Sequence, residues 1–267
     1  MPFVEVPQSF VIQEECEKAA WQNGFRRPFG GPAGWASFAS TTVPGTIHLA
    51  AAGPQGPWYL ALDHGGVIEE LALPPAALPG PGLARHAFDT LRDLYVALSR
   101  VYQLSASLPD APLKEFEQKV QSLPQTTEAE RLVVQRIGQN IFRASLLAYW
   151  QGTCPLTGIS DPALLRASHI VPWRVCETDA QRLDVNNGLL LSALWDAAFD
   201  QGLVTFSDEG TPAFSPVLSE AARRELRWGT ALTLSRRQRE NLAWHRLHAF
   251  RSDSAATPNQ TPTNSVN

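Results

Sequence analysis

Residues 166–202, RASHIVPWRVCETDAQRLDVNNGLLLSALWDAAFDQG, gather side chains that ordinary core does not need. His169 stands just before a Pro-Trp pair, Asn187-Gly188 opens an apolar run, and Asp196 and Asp200 follow four residues apart. On a helix, positions i and i+4 share one face, so these carboxylates would repel each other unless a cation sat between them. Carboxylate oxygens at that spacing suit a hard divalent ion. A nearby imidazole can take a proton from water while the ion neutralises charge on a phosphate. Each residue alone also has a plainer reading. His169 can be a satisfied strand residue and Asn187-Gly188 a turn. Asp196 can offset a helix N-terminus, and Asp200, close to Gly202, can be a capping or turn residue.

Three elements must position these groups. Ala167–Val171 is short, partly β-branched and stopped by Pro172, which suits a strand. Gly188–Ser192 is a second apolar run, and Ala193–Gln201 reads as a short helix ended by Gly202. The order is strand, long loop, strand, helix. Upstream, Thr127 and Glu130 form a capping-box pattern that opens a helix running to about Trp150, followed by the turn GTCPLTG. Arg136, Gln139 and Arg143 share one face of that helix, either as contacts to a phosphate backbone or as buttresses paired with acids.

Taken together, these residues resemble the HNH endonucleases, whose site is the ββα-metal or His-Me finger. The likeness is to a branch that reads Leu-x-Ala-Ser-His-Ile-x-Pro-Trp, then Asn-Gly-Leu-Leu-Leu, then Phe-Asp-x-Gly. It extends from Glu128 to Phe250, about half of the 267 residues, with 130–158 similar to that branch's lead-in helix and 242–250 to its closing segment. The resemblance implies a DNA endonuclease. His169 matches the family's general base, and Asn187 the asparagine that pins the loop orienting it. Asp196 falls where many members carry a last histidine, and Asp200 matches the second ligand on that helix. Ser168 departs from the pattern, since the residue before the base is often an Asp or His that ligates metal. A site rich in carboxylate and poor in imidazole shifts the expected ion from Zn²⁺ towards Mg²⁺ or Mn²⁺. Without paired cysteine knuckles no structural zinc is expected. DNA is the expected partner, in a monomer or a homodimer, with Arg136, Arg143, Arg166 and Arg174 as candidate contacts.

The expected fold is α+β: a C-terminal ββα-metal nuclease domain with flanking helices, preceded by a small α/β or β-rich domain. The boundaries read 1–104 for the first domain, 105–125 for a linker holding a short helix around Phe116, and 126–251 for the nuclease. Residues 252–267, rich in Pro, Ser and Thr, read as a disordered tail. In the first block, Thr46–Ala51 and Trp58–Leu62 suggest strands. His64-Gly65-Gly66 suggests a tight turn into another at Val67–Leu73, and 84–104 has helical periodicity. Trp21, Phe29, Trp35, Phe38, Trp58 and Tyr59, near Arg26-Arg27, can form either an ordinary core or a platform for stacking a flipped, modified base. Fusion of this nuclease branch to an unlike N-terminal domain resembles modification-dependent restriction enzymes. Two alternatives stand beside that reading: an inactive DNA- or modified-base-binding protein on the same fold, and a toxin-like nuclease effector.

Composition narrows the classes further. A net charge of −4 gives no general attraction to nucleic acid or acidic membranes. Between Arg223 and Arg251, however, eight arginines face two acids, Glu225 and Glu240. The excess of Arg over Lys fits genome composition; the local cluster is harder to dismiss but is weak evidence alone. Three cysteines, Cys16, Cys154 and Cys176, make no CxxC and cannot all pair, which excludes a disulfide framework. With no signal-like start and no membrane-length apolar run, the expected location is the cytoplasm.

Overall fold

The computed structural model describes residues 3–124 and 126–252; nearly all of the expected tail lies outside them. The chain forms two compact units. The first runs to Gly152 and takes back Glu177–Val185, and the second holds Thr153–Cys176 and the chain from Asn186 onward.

The first unit begins with helix α1 (Phe10–Gln22) and continues through strands β1 (Arg27–Phe29), β2 (Ala36–Ala39), β3 (Thr46–Ala51) and β4 (Trp58–Leu62). Helix α2 (Gly65–Leu71) and strand β5 (Ala84–Phe88) follow, then helices α3 (Leu91–Ser107), α4 (Asp110–Val120) and α5 (Glu128–Tyr149). The short α6 (Asp179–Leu183) rejoins this unit from the later segment. The strands form one antiparallel meander in sequence order. β3 and β4 are buried almost throughout, because both of their faces are covered. α1 and α3 pack against the sheet, while Trp35 and Leu78 join Ala50, Tyr59 and Ala61 in a second buried cluster.

β3 and β4 fall on the residues expected of strands. The third expected strand is instead α2. His64 Nδ1 accepts a hydrogen bond from the Val67 N–H at 3.3 Å, which caps a helix start, and Ala72 closes it in the left-handed region at φ 48°. The segment 105–125 is no simple linker: α3 continues through it to Ser107, and α4 packs on α5 with Phe116 buried. The Thr127–Glu130 capping box is present at the start of α5. The buried face of α5, including Ile141, Phe142, Leu146 and Tyr149, packs on α3 and α4. Tyr149 Oη donates to Glu70 Oε2 at 2.6 Å, and Arg100 Nη1 donates to the Tyr149 carbonyl at 2.8 Å. The helix expected to lead the nuclease domain thus sits with the first unit.

The second unit holds strand β6 (Leu165–His169), strand β7 (Gly188–Ser192) and helix α7 (Ala193–Asp200). A hairpin of β8 (Val204–Phe206) and β9 (Pro212–Phe214) follows, then helices α8 (Glu220–Glu225) and α9 (Arg236–His248). β6 and β7 pair antiparallel from Leu165↔Ser192 to His169↔Gly188, and α7 packs back on both strands. The apolar side of α7 buries Trp195 and Phe199, which contact Phe206 of β8. Gly202 turns the chain after α7 at φ +65°, where an added Cβ would lie 2.0 Å from the Ala249 carbonyl oxygen. Only glycine fits there.

Candidate active site

His169 is the last residue of β6 and lies opposite Gly188 across the ladder. The ring is half-buried and meets Trp173 edge-on, 5.5 Å between centroids. Trp173 therefore packs against the histidine.

Asn187 shapes the backbone that follows. Its carbonyl accepts from the Ile170 N–H at 2.9 Å. Its side-chain Oδ1 accepts from the Val171 N–H at 2.8 Å, and Nδ2 donates to the Val171 carbonyl at 3.1 Å. A residue 1 % exposed thus uses both ends of its amide on one residue, two positions past His169. This explains why the strand stops at His169 and not at Val171: the side chain of Asn187 takes the place of the next ladder bond. Nδ2 also reaches Cys176 Sγ at 3.3 Å. The thiol in turn faces the Val171 and Pro172 carbonyls, 3.5 Å from each.

Asp196 and Asp200 stand one turn apart on α7, the first half-buried and the second exposed at its edge. The hydroxyl of Ser168, itself buried, donates to Asp196 Oδ1. Surrounding protein, and then the Asp196 charge, push the Asp200 carboxyl up to about 6. No ion pair to a described cation relieves the two carboxylates. Their oxygens fit a hard divalent cation, although no group of three or more His, Cys, Asp or Glu gathers as a metal site among the described residues. Any further ligands would have to come from water or substrate oxygens.

This constellation—imidazole at a strand end, asparagine clamp, two carboxylates on the following helix—lies inside one matched stretch. The HNH endonuclease family model aligns with residues 154–207. The chain carries an HNH endonuclease domain. No curated protein matches the chain. The HNH match contains β6, β7 and α7, with α5 and the closing segment outside it.

The arginine candidates separate. Arg166 is exposed on β6, with Nη1 donating to the Ala163 and Leu165 carbonyls at 2.8 and 2.9 Å. Arg174 is exposed in the loop after His169. Arg136 and Arg143 belong to the first unit, Arg136 exposed and Arg143 half-buried.

Of the six aromatics read in the N-terminal block, Trp35, Phe38, Trp58 and Tyr59 are core. Trp58 and Tyr59 sit on β4, which is buried throughout, so they cannot stack on a base without unfolding the sheet; Trp35 precedes β2 and Phe38 lies on it. Trp21 and Phe29 are 55 % and 45 % exposed, and the Arg26 guanidinium lies 5.5 Å from the Trp21 ring centroid. Phe29, Trp35 and Ser37 line a cleft of about 500 Å³.

Two contributors were missed in the sequence. Cys176 looked like one of three unpaired thiols but joins the Asn187 clamp. Asn186 has no role assigned from the sequence, yet its Oδ1 accepts from Ser235 Oγ at 2.6 Å and its carbonyl from Asn241 Nδ2 at 2.9 Å. Asn186-Asn187 is thus a double anchor, one half holding the base loop and the other holding α9. The doubled asparagine before Gly188 was the available signal.

Proposed function

We propose that the protein is a metal-dependent endonuclease that hydrolyses phosphodiester bonds of DNA in a restriction-type role. The observation that carries the reading is the pairing of His169, with the Asn187 clamp behind it, and two mutually repelling carboxylates inside the HNH domain. His169 takes a proton from the attacking water. Asn187 holds the loop that fixes where the imidazole points. Asp196 and Asp200 would hold a Mg²⁺ or Mn²⁺ ion, which would offset negative charge on the phosphate and the leaving oxygen.

In this reading the first unit selects the DNA. Exposed Trp21 with Arg26 on its ring, and exposed Phe29 beside its cleft, support that role, because aromatics and arginine together favour unstacked bases. Arg166 and Arg174 would contact backbone phosphates. One observation favours a second reading: the Ser168 hydroxyl occupies an oxygen of Asp196, as it would in a fold that binds DNA without cutting.

Digestion of methylated and unmethylated plasmids across several metals separates these readings. Cutting that stops in EDTA and returns with Mg²⁺ or Mn²⁺ more readily than with Zn²⁺ supports the endonuclease, and different rates on the two plasmids support a modification-dependent role. Tight DNA binding with no cutting in any metal supports the inactive form.

A further inference from the structure

Within the second unit, an open cleft of about 510 Å³ lies at the N-terminal end of α7. Ser192 occupies the N-cap position there, but its side chain makes no capping bond. The residue is 5 % exposed, its hydroxyl bonds to no described residue, and it lines the cleft. The first N–H groups of a helix lack intrahelical acceptors and carry the positive end of its dipole. A hydroxyl that bonds to no described residue, on an otherwise buried serine lining the cleft, is therefore set beside donors that favour an anion.

Arg227 and Trp228 line the same cleft and are exposed. Trp195 Nε1 donates to the Arg227 carbonyl at 3.1 Å, which ties the arginine's backbone to α7. Glu225 is also part of the lining and opposes an anion. That opposition bears on which anion fits. A phosphate monoester carries about −1.5 to −2 at neutral pH, whereas a phosphodiester carries a single charge, which one arginine and a helix end can balance.

We propose that this cleft binds a backbone phosphodiester of DNA, one or two nucleotides from the scissile bond. The spacing follows from α7 itself. Ser192 and Asp196 are four residues apart, a rise of about 6 Å, and a B-form duplex advances about 3.4 Å along its axis per nucleotide of one strand. The proposal rests on the endonuclease reading above and adds a second phosphate contact to it.

The test measures binding of a labelled duplex by the full chain in EDTA at 50 to 200 mM salt. Arg227→Ala should weaken binding about 5- to 10-fold and lower the slope of log K against log salt by about one. Ser192→Asp should hold or raise thermal stability, since Asp is a good N-cap, while weakening DNA binding about 10-fold or more. A loss of affinity without a loss of stability separates a binding site from a merely structural one. If both variants bind with the wild-type affinity and salt slope while wild type cuts DNA, only the cleft assignment falls. If wild type neither binds nor cuts DNA, this proposal falls together with the reading on which it rests.

Discussion

Asn187 uses both ends of its side-chain amide on Val171, accepting at 2.8 Å and donating at 3.1 Å. Replacement with Ala would leave the buried N–H of Val171 without its side-chain acceptor and its C=O with only the weak Cys176 thiol donor. The expected cost is about 2–4 kcal/mol, read as a lower melting temperature, with a larger fall in kcat than rise in KM because the loop beside His169 loosens. Asp200 gives the opposite stability sign. Its carboxyl is pushed up to about 6 by partial desolvation from the surrounding protein and by Asp196, so Asp200→Asn removes a repulsion. The metal-free variant should be at least as stable as wild type, yet need about 10-fold more Mg²⁺ or Mn²⁺ for half-maximal cleavage. A marked loss of metal-free stability would return Asp200 to a capping role. At this scale the sequence was informative where chemistry and spacing coincide, as in His169, Asn187 and the aspartate pair. It was silent on Cys176, whose partner depends on how a loop folds back.

α9 enters the second unit through His245, a buried histidine. Nε2 donates to the Phe199 carbonyl at 3.3 Å, Nδ1 accepts from Thr205 Oγ1 at 3.0 Å, and the ring stacks on Phe199 at 4.0 Å. Burial lowers its pKa to about 4, against the opposing effect of the Phe199 carbonyl. The unfolded chain, with a pKa near 6.5, therefore binds the extra proton first as pH falls. The stability contribution is complete above about pH 6.5 and is lost on acidification towards pH 4, by about 1–3 kcal/mol. Thermal unfolding from pH 7 to 5 should show this slope, and His245→Gln should flatten it. Gly202 makes a second prediction: Gly202→Ala meets the Ala249 carbonyl at 2.0 Å and should cost more than about 2 kcal/mol in a denaturant titration. Element boundaries were legible where local signals suffice, as for β3, β4, β7 and the Thr127 capping box. The α2 segment was misread because its helix depends on a histidine cap, and Gly-Gly alone suggested a turn.

For the whole molecule, the expected boundary near residue 126 rested on the capping box, which marks where a helix starts and not which unit it joins. The buried face of α5 packs on α3 and α4, and the chain returns to the first unit at Glu177–Val185. A fragment beginning at residue 126 would expose Ile141, Phe142 and Leu146. It should be less soluble and melt at a lower temperature than the full chain, as calorimetry would show. The aromatic residues of the first block illustrate the same limit: composition identified them, but only the tertiary packing around the sheet reveals that four of the six are core.

The central claim, that His169 activates water for DNA hydrolysis beside a metal held by Asp196 and Asp200, is tested most directly by plasmid cleavage. Wild type and His169→Ala would be compared at equal concentration in Mg²⁺ and Mn²⁺, with melting temperature and DNA affinity measured on the same preparations. The account predicts that His169→Ala keeps its fold and DNA binding and loses about 100-fold or more in cleavage rate. Wild-type-like cleavage by that variant would contradict it.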